Sequence, residues 1–440
     1  MTMYLGIDFG TSGARACVIA PNGQIEDMAR IDFGRLAEHE AATTWRDALL
    51  TLITQIPIGM RKRLAGLAID GTSATVLACD EALNPTYPPL AYNDVRASEE
   101  AAIIRRTAGA EHPAAAATSG LAKAMWLKKH LGLGVGKPGA RLYLNQADWL
   151  SALLSGNPVS DYHNALKMGV DLETGLWPAW VKSLVDVDTL PVPVKPGQAI
   201  GLLDRGRARE LGINPDCLVR AGTTDSIAAF LAASCGQPRQ PGQAVTSLGS
   251  TLVLKLLSET RVDAGAYGIY SHWFGRYWLA GGASNAGGAV LRQHFSDDEL
   301  IALSRDIDPE RSTGLDYYPL PAIGERFPYN DPKRPPRLEP RPEGRTQRET
   351  RTEFLHGILE GLARIEALGY AKLVELGATP PQAVASAGGG AKNPAYTRIR
   401  ERLLNVPVTR SDQHEACYGS AHLACHGTDL FPEAPDPSAP

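Results

Sequence analysis

The chain has 440 residues, 44% of them hydrophobic and 21% charged, with a formal net charge of −4. That length allows two or three domains, each able to bury its own core, and the composition is that of an ordinary globular protein. The nearly balanced charge offers no field for nucleic acid or an anionic membrane surface, and no apolar run nears the roughly 20 residues of a bilayer span.

The chain opens with an apolar strand over 3–8, a second strand "GARACVIA" over 13–20, a "PNG" turn at 21–23 and a third strand near 24–33. Asp8 closes the first strand, although aspartate is a poor strand residue and a buried charge is costly. A metal ion, a cation or a solvent-filled cleft must compensate it. The turn that follows, Gly10-Thr11-Ser12-Gly13, reads in two ways. It is an ordinary tight hairpin beside an exposed Asp8, or an anion cradle whose small residues let backbone N–H groups converge while Thr11 and Ser12 add hydroxyl donors. In the second reading Asp8 holds Mg2+, through water.

Residues 39–56 place Trp45, Leu49, Leu52, Ile53 and Ile56 on one helical face. Two short strands over 64–80 are joined through Gly71-Thr72-Ser73, and helical patterns recur at 97–109, 120–131, 145–155 and 206–212. Strands alternating with helices predict an α/β fold. "AYNDVRA" (91–97) gathers Asn93, Asp94 and Arg96. These form a solvated ion pair, or they grip sugar hydroxyls through bidentate hydrogen bonds. "GLGVGKPG" (132–139) has Gly-Lys at the wrong spacing for a Walker A loop and reads as a surface loop.

"LVRAGTTDSIAAFLAA" (218–233) is a strand, a glycine turn and an apolar helix with Asp225 at its start. Asp225 there is an N-cap, or a general base for phosphoryl transfer to a hydroxyl. "SLGST" (247–251) then echoes "DFGTS" (8–12), with Ser247 where the aspartate stood and Gly249, Ser250 and Thr251 forming the turn. Such an echo suggests two related halves facing a cleft. Gly287 and Gly288 lie in a second glycine-rich turn, "LAGGASNAGGAVL". Six prolines in the sixteen residues 328–343 exclude helix interior and central strand, and a long helix with Leu355, Leu359, Leu362 and Ile365 in its stripe follows over 351–376. "ASAGGGAKNPAY" (385–396) puts Gly388, Gly389 and Gly390 between a strand and a helix, which permits close approach to a flat ligand such as adenine, with Lys392 and Asn393 as polar edges. In 414–426, His422 and His426 stand at i, i+4, either as two ligands of a metal site or on a helix packed by small residues. The six cysteines form no CxxC pair, and the first strand starts beside Met1 with no signal region before it, so a reducing, cytoplasmic compartment is expected.

In order, "DFGTSGAR", "AGTTDS" and "SAGGGAKN", with "TSLGSTL" and "AGGASNAGG", resemble the FGGY carbohydrate kinases of the actin-like ATPase superfamily over roughly 3–427. "AIDGTSATVLACD", "AYNDVRA" and "TSGLAKAMWL" look most like the short cyanobacterial and chloroplast members described as D-ribulose kinases. The resemblance implies two ribonuclease-H-like domains flanking a deep cleft: 1–228 on the sugar and phosphate-loop side, and 229–427 on the ATP side. The last helix, about 414–427, packs back on the first domain, and 428–440 is a disordered tail.

Carried over by position, Asp8 is the magnesium and phosphate-loop aspartate, Thr11 a phosphate-contacting hydroxyl and Asp225 the catalytic base and second metal contact. Ser73 and Asp94 contact the sugar, together with Asp8 and Asp225. Gly10, Thr11, Ser12, Gly249, Ser250, Thr251, Gly287, Gly288, Gly388, Gly389, Gly390 and Asn393 bind the nucleotide. The implied activity is ATP- and Mg2+-dependent phosphorylation of the terminal hydroxyl of a ketopentose, D-ribulose first, with D-xylulose or a polyol as alternatives, by a monomer or homodimer. The chain departs from glycerol kinases in its sugar loop and its shorter second half. An actin-like ATPase without a small acceptor, or a sugar sensor without turnover, remains the alternative of another class.

Overall fold

In a computed structural model, residues 1–34, 36–131, 141–344 and 346–433 are described. The expected surface loop 132–139 and residues 434–440 lie outside them. The chain divides into two units: Met1–Cys235 together with the chain from Glu415 onward, and Gly236–His414.

Unit 1 is built on a seven-stranded sheet. Its strands are β1 (Met3–Phe9), β2 (Gly13–Ile19), β3 (Ile25–Asp32), β4 (Leu64–Gly71), β5 (Ala199–Leu202), β6 (Leu218–Arg220) and β7 (Thr223–Thr224). The order is β3-β2-β1-β4-β6-β5, with β7 also on β4. β1, β2 and β3 pair antiparallel, whereas β1, β6 and β7 run parallel to β4. The alternating apolar residues of β1, Leu5, Ile7 and Phe9, are buried together with α1 (Ala41–Gln55), whose face of Trp45, Leu49, Leu52 and Ile53 covers them. α2 (Gly120–Leu131) and α3 (Gln146–Ser155) follow, and α4 (Asp225–Ala233) begins directly after β7. Gly222 lies in the short link before β7, where a Cβ would sit 1.8 Å from the Ile69 carbonyl oxygen. Any side chain there would push β7 and Asp225 away from β4.

Unit 2 repeats the plan. Its strands are β8 (Gln243–Leu248), β9 (Leu252–Ser258), β10 (His272–Phe274), β11 (Tyr277–Ser284), β12 (Ala383–Ala387) and β13 (Val408–Arg410). Their order is β10-β11-β9-β8-β12-β13, antiparallel up to β8 and parallel beyond it. α5 (Gly288–His294) follows β11, and α6 (Gln347–Glu375) buries Leu355, Leu359, Leu362 and Ile365 in the core of this unit. α7 (Pro394–Leu404) follows β12. The proline-rich residues 328–343 form no helix or strand, because proline can neither donate to a ladder nor continue a helix.

α8 (Ala416–His426) returns to unit 1. Its fit there is backbone against backbone: a Cβ on Gly6 of β1 would lie 2.1 Å from the Ala421 nitrogen, and one on Gly419 would lie 1.9 Å from the Ala228 oxygen of α4. The division of the units falls at 235/236, past the end of α4, and not within it at 228/229. The expected tail is corrected in part. Residues 427–430 make a 3-10 turn that buries Leu430 and Phe431, and the Phe431 ring meets the buried His163 ring at 6.0 Å. These two apolar side chains hold down residues 427–431. Among the described residues no helix is long and apolar enough to cross a membrane.

Candidate functional site

Three aspartates gather where the parallel strands of unit 1 end. Asp8 and Asp70 are direct cross-strand partners in β1 and β4, and Thr223 of β7 sits opposite Asp70, with Asp225 two residues on. This is the carboxyl edge at which open parallel sheets present their ligand sites. Asp8 and Asp70 are both buried. Burial raises the Asp8 carboxyl above its usual range, against the lowering pull of its hydrogen bond with Asp70 and of the Arg15 charge. Burial and the neighbouring Asp8 charge raise Asp70 well above the carboxylate range, opposed by Ser420 of α8, whose hydroxyl donates to Asp70 Oδ2 at 2.5 Å. When both groups are ionised, Asp70 Oδ1 has no hydrogen-bond partner. A proton shared by the two carboxyls would relieve their mutual repulsion, in keeping with the upward shift of both.

Arg15 of β2 lies over this pair at its open side, 3.4 Å from Asp8 Oδ2 and 3.3 Å from Glu415 Oε2. The turn before it closes through the Gly10 N–H to the Gly13 carbonyl at 3.0 Å, and leaves Thr11 and Ser12 exposed. Asp225 is not the cap of α4. Thr224 occupies the cap position, and Asp225 is the first helical residue, accepting from the Ser226 N–H at 2.6 Å. Its charge also acts on Asp70, which ties it electrostatically to the pair.

Ser73 and Asp94 sit on two turns that unit 1 draws together. Ser73 lies in the Thr72–Thr75 turn just past β4, held by Gln146 of α3, whose Oε1 accepts from the Thr72 N–H at 3.0 Å and from its hydroxyl at 2.9 Å. Asp94 is ion-paired with Arg96 at 2.7 Å, so the expected pair is real; Asp94 Oδ1 also accepts from the Arg96 N–H at 2.9 Å, and the Asp94 side chain is 10% exposed.

Unit 2 brings three glycine-rich turns together. Gly249, Ser250 and Thr251 join β8 to β9, and the N–H groups of Gly288 and Ala289 donate to the Gly249 and Ser250 carbonyls at 2.8 and 3.1 Å. A Cβ on Gly287, at φ +156, would lie 2.6 Å from the Ser250 oxygen, and one on Gly390 would lie 2.9 Å from Leu248 Cβ. Gly388, at φ +84, passes just as close to the Leu248 carbonyl. Arg292 of α5 donates to the Ser250 hydroxyl at 2.7 Å. Asn393 serves the fold directly. It caps α7 by accepting from the Tyr396 N–H at 3.1 Å, while its amide donates to Ser304 at 2.8 Å.

Sequence reasoning passed over Asp70, Arg15, Glu415 and Ser420. A signal for Asp70 was present, since "LAIDGTS" repeats the "LGIDFGTS" pattern around Asp8. At the other end of the chain, His422 and His426 stack at 5.6 Å, and Cys235 Sγ approaches His422 Nε2 at 3.4 Å. Among the described residues no three metal-ligating side chains cluster.

Two family models match the chain, one on either side of the 235/236 junction. Residues 3–232 match the model of the N-terminal domain of the FGGY family of carbohydrate kinases, and 244–428 match that of its C-terminal domain. A xylulose kinase of Staphylococcus xylosus is 22% identical, over 98% of this chain and 92% of its own. A gluconokinase of Bacillus subtilis is also 22% identical, over 97% of this chain and 88% of its own. Among solved structures, a xylulose kinase from Brucella ovis superposes with a TM-score of 0.83 at 22% identity, covering 98% of this chain and 93% of its own. A Plasmodium falciparum glycerol kinase with ADP gives 0.80 at 16% identity, covering 98% and 91%. At such identities the superpositions speak for the fold, a two-domain actin-like ATPase type. With matching domain models over nearly its whole length, the chain belongs to the FGGY family of carbohydrate kinases.

Proposed function

We propose that this sugar kinase transfers the γ-phosphoryl group of ATP to the terminal hydroxyl of a ketopentose, with D-ribulose as the acceptor. The observation that carries the reading is Asp225 beside the buried Asp8–Asp70 pair at the ends of parallel strands. In this reading Asp225 accepts the proton of the attacking hydroxyl, which requires a carboxylate that is ionised and within reach of the acceptor. Thr11 and Ser12 receive phosphate oxygens at the turn that the Gly10 N–H closes, and Arg15 exchanges part of its hold on Asp8 and Glu415 for them. Ser73 and Asp94 orient the sugar. In unit 2, the Gly249–Thr251 turn receives phosphates, with Gly287 and Gly288 packed against it to hold its shape, while Gly388–Gly390 leave room for the flat base and Asn393 holds the edge of that turn.

The donor set fits Mg2+. Asp8 and Asp225 offer hard oxygen ligands, and a cation beside the buried Asp70, whose Oδ1 has no hydrogen-bond partner, would make two buried carboxylates compatible. Asp8 and Asp225 would hold the ion, Asp8 through water, and when bound it supplies charge neutralisation for the phosphate oxygens. A second acceptor, D-xylulose, is favoured by the relatives that bear that name at 22–24% identity. An ADP-release assay over ketopentoses, tetroses and polyols decides between them. D-ribulose is expected to give the highest kcat/KM, a D-xylulose maximum would select the second reading, and no sugar-dependent ADP release would refute both.

A further inference from the structure

Lys123, in the first turns of α2, is fully buried and has no part in the chemistry above. Among the described residues no carboxylate lies within ion-pair distance of it. Its Nζ instead donates to two backbone carbonyls, Ala74 at 2.7 Å and Ala91 at 2.6 Å. These acceptors belong to different turns. Ala74 follows Ser73 in the Thr72–Thr75 turn, and Ala91 accepts from the Asp94 N–H at 3.0 Å in the turn that carries Asp94. Ala74 also stands at φ +61, a left-handed conformation that a non-glycine residue holds only when its surroundings impose it. An apolar side chain of the same length would fill the space without the desolvation cost of a buried ammonium. The two carbonyl contacts are what an apolar residue could not supply.

We propose that Lys123 is a positioning residue of the acceptor site, a strut that fixes the Ser73 turn against the Asp94 turn and so governs the affinity for the sugar and not for the nucleotide. The proposal rests on the reading of Ser73 and Asp94 as acceptor contacts. Burial lowers the Lys123 pKa to about 7, with Asp94 pulling it up and Lys167 and Arg96 pushing it down. The ammonium is therefore lost as pH rises through neutrality, the strut weakens, and the acceptor KM rises on the alkaline side.

The test compares wild type with K123M in steady-state kinetics, varying acceptor and ATP separately from pH 6 to 9. The expected result is an acceptor KM raised about tenfold, as for a lost hydrogen bond to a charged group, with the ATP KM within about twofold of wild type. The alkaline rise of the acceptor KM should be present in wild type and absent from K123M. If K123M fails to fold, K123Q, which keeps a shorter donor, is measured against the same limits. An unchanged acceptor KM in an active variant overturns the strut alone. KM values that rise together for both substrates, or the failure of both variants to fold, show general support of unit 1 and also overturn it. A wild type without sugar-dependent ADP release overturns the kinase-acceptor reading itself, which is a different and separately visible failure.

Discussion

In unit 1 the strand that enters the first hairpin carries Asp8 opposite Asp70; in unit 2 the corresponding strand carries Ser247 opposite Ala387. The sheets share their strand order and the hairpin turns share their small residues, so the backbone cradle is common to both. The charge beneath it is not. Unit 2 does bury ions, but there Glu366 accepts from Arg400 Nε at 2.6 Å and Nη2 at 2.7 Å, and also from Thr246 at 2.5 Å, so the carboxylate is matched inside the core. Among the described residues, the Asp8–Asp70 pair of unit 1 has one ion-pair partner, the partly exposed Arg15 on Asp8, beside the Ser420 hydroxyl on Asp70. A buried charge matched by its own fold holds the structure together, whereas the sparsely matched pair of unit 1 is what the proposed phosphate and Mg2+ site would use.

That contrast can be broken, and the largest expected effect comes from Asp225. D225A should lower kcat for sugar phosphorylation by about 10³-fold or more, while a non-hydrolysable ATP analogue still binds by calorimetry. Near-normal turnover would remove the base from the scheme. Next, R400M leaves Glu366 buried without its counter-charge, and should destabilise the protein by about 3–5 kcal/mol in chemical denaturation. The double change E366M/R400M should recover most of that loss, because both charges then leave the core. The smallest effect sharpens the comparison most. D70N removes one of two repelling carboxyls, so the metal-free protein should melt no lower than wild type and gain up to about 1 kcal/mol, yet lose activity. If D70N costs as much stability as R400M, the acid pair of unit 1 is a structural element like its counterpart in unit 2.

Much of the fold could be read along the chain because its signals are local. The period of Leu5, Ile7 and Phe9, the glycine turns at 10–13 and 249–251, and the stripe on α6 each predict an element from neighbouring residues. Asp8 and Asp225 stood out for the same reason, as acids beside glycine turns. Asp70 did not, because its meaning comes from parallel register with a strand 62 positions earlier, shown by the pairing of Asp8 with Asp70. Lys123 in "GLAKAMWL" reads as one polar residue on an amphipathic helix, and only the packing of two distant turns against α2 makes it internal. Asp94 carried two readings in the sequence, and its pairing with Arg96 leaves room for both. The terminal turn was missed because Leu430 and Phe431 are too few to outweigh the prolines and acids around them.

The return of α8 to unit 1 has a consequence for biosynthesis. Gly6, near the start of the chain, can meet its packing partner Ala421 only after unit 2 has been made. The first half of the protein therefore emerges from the ribosome with the Ser420 hydroxyl and the covering helix still missing, while the contiguous 236–414 segment contains every strand of its own sheet. A stop codon before position 415 should damage the older half of the polypeptide more than the younger one.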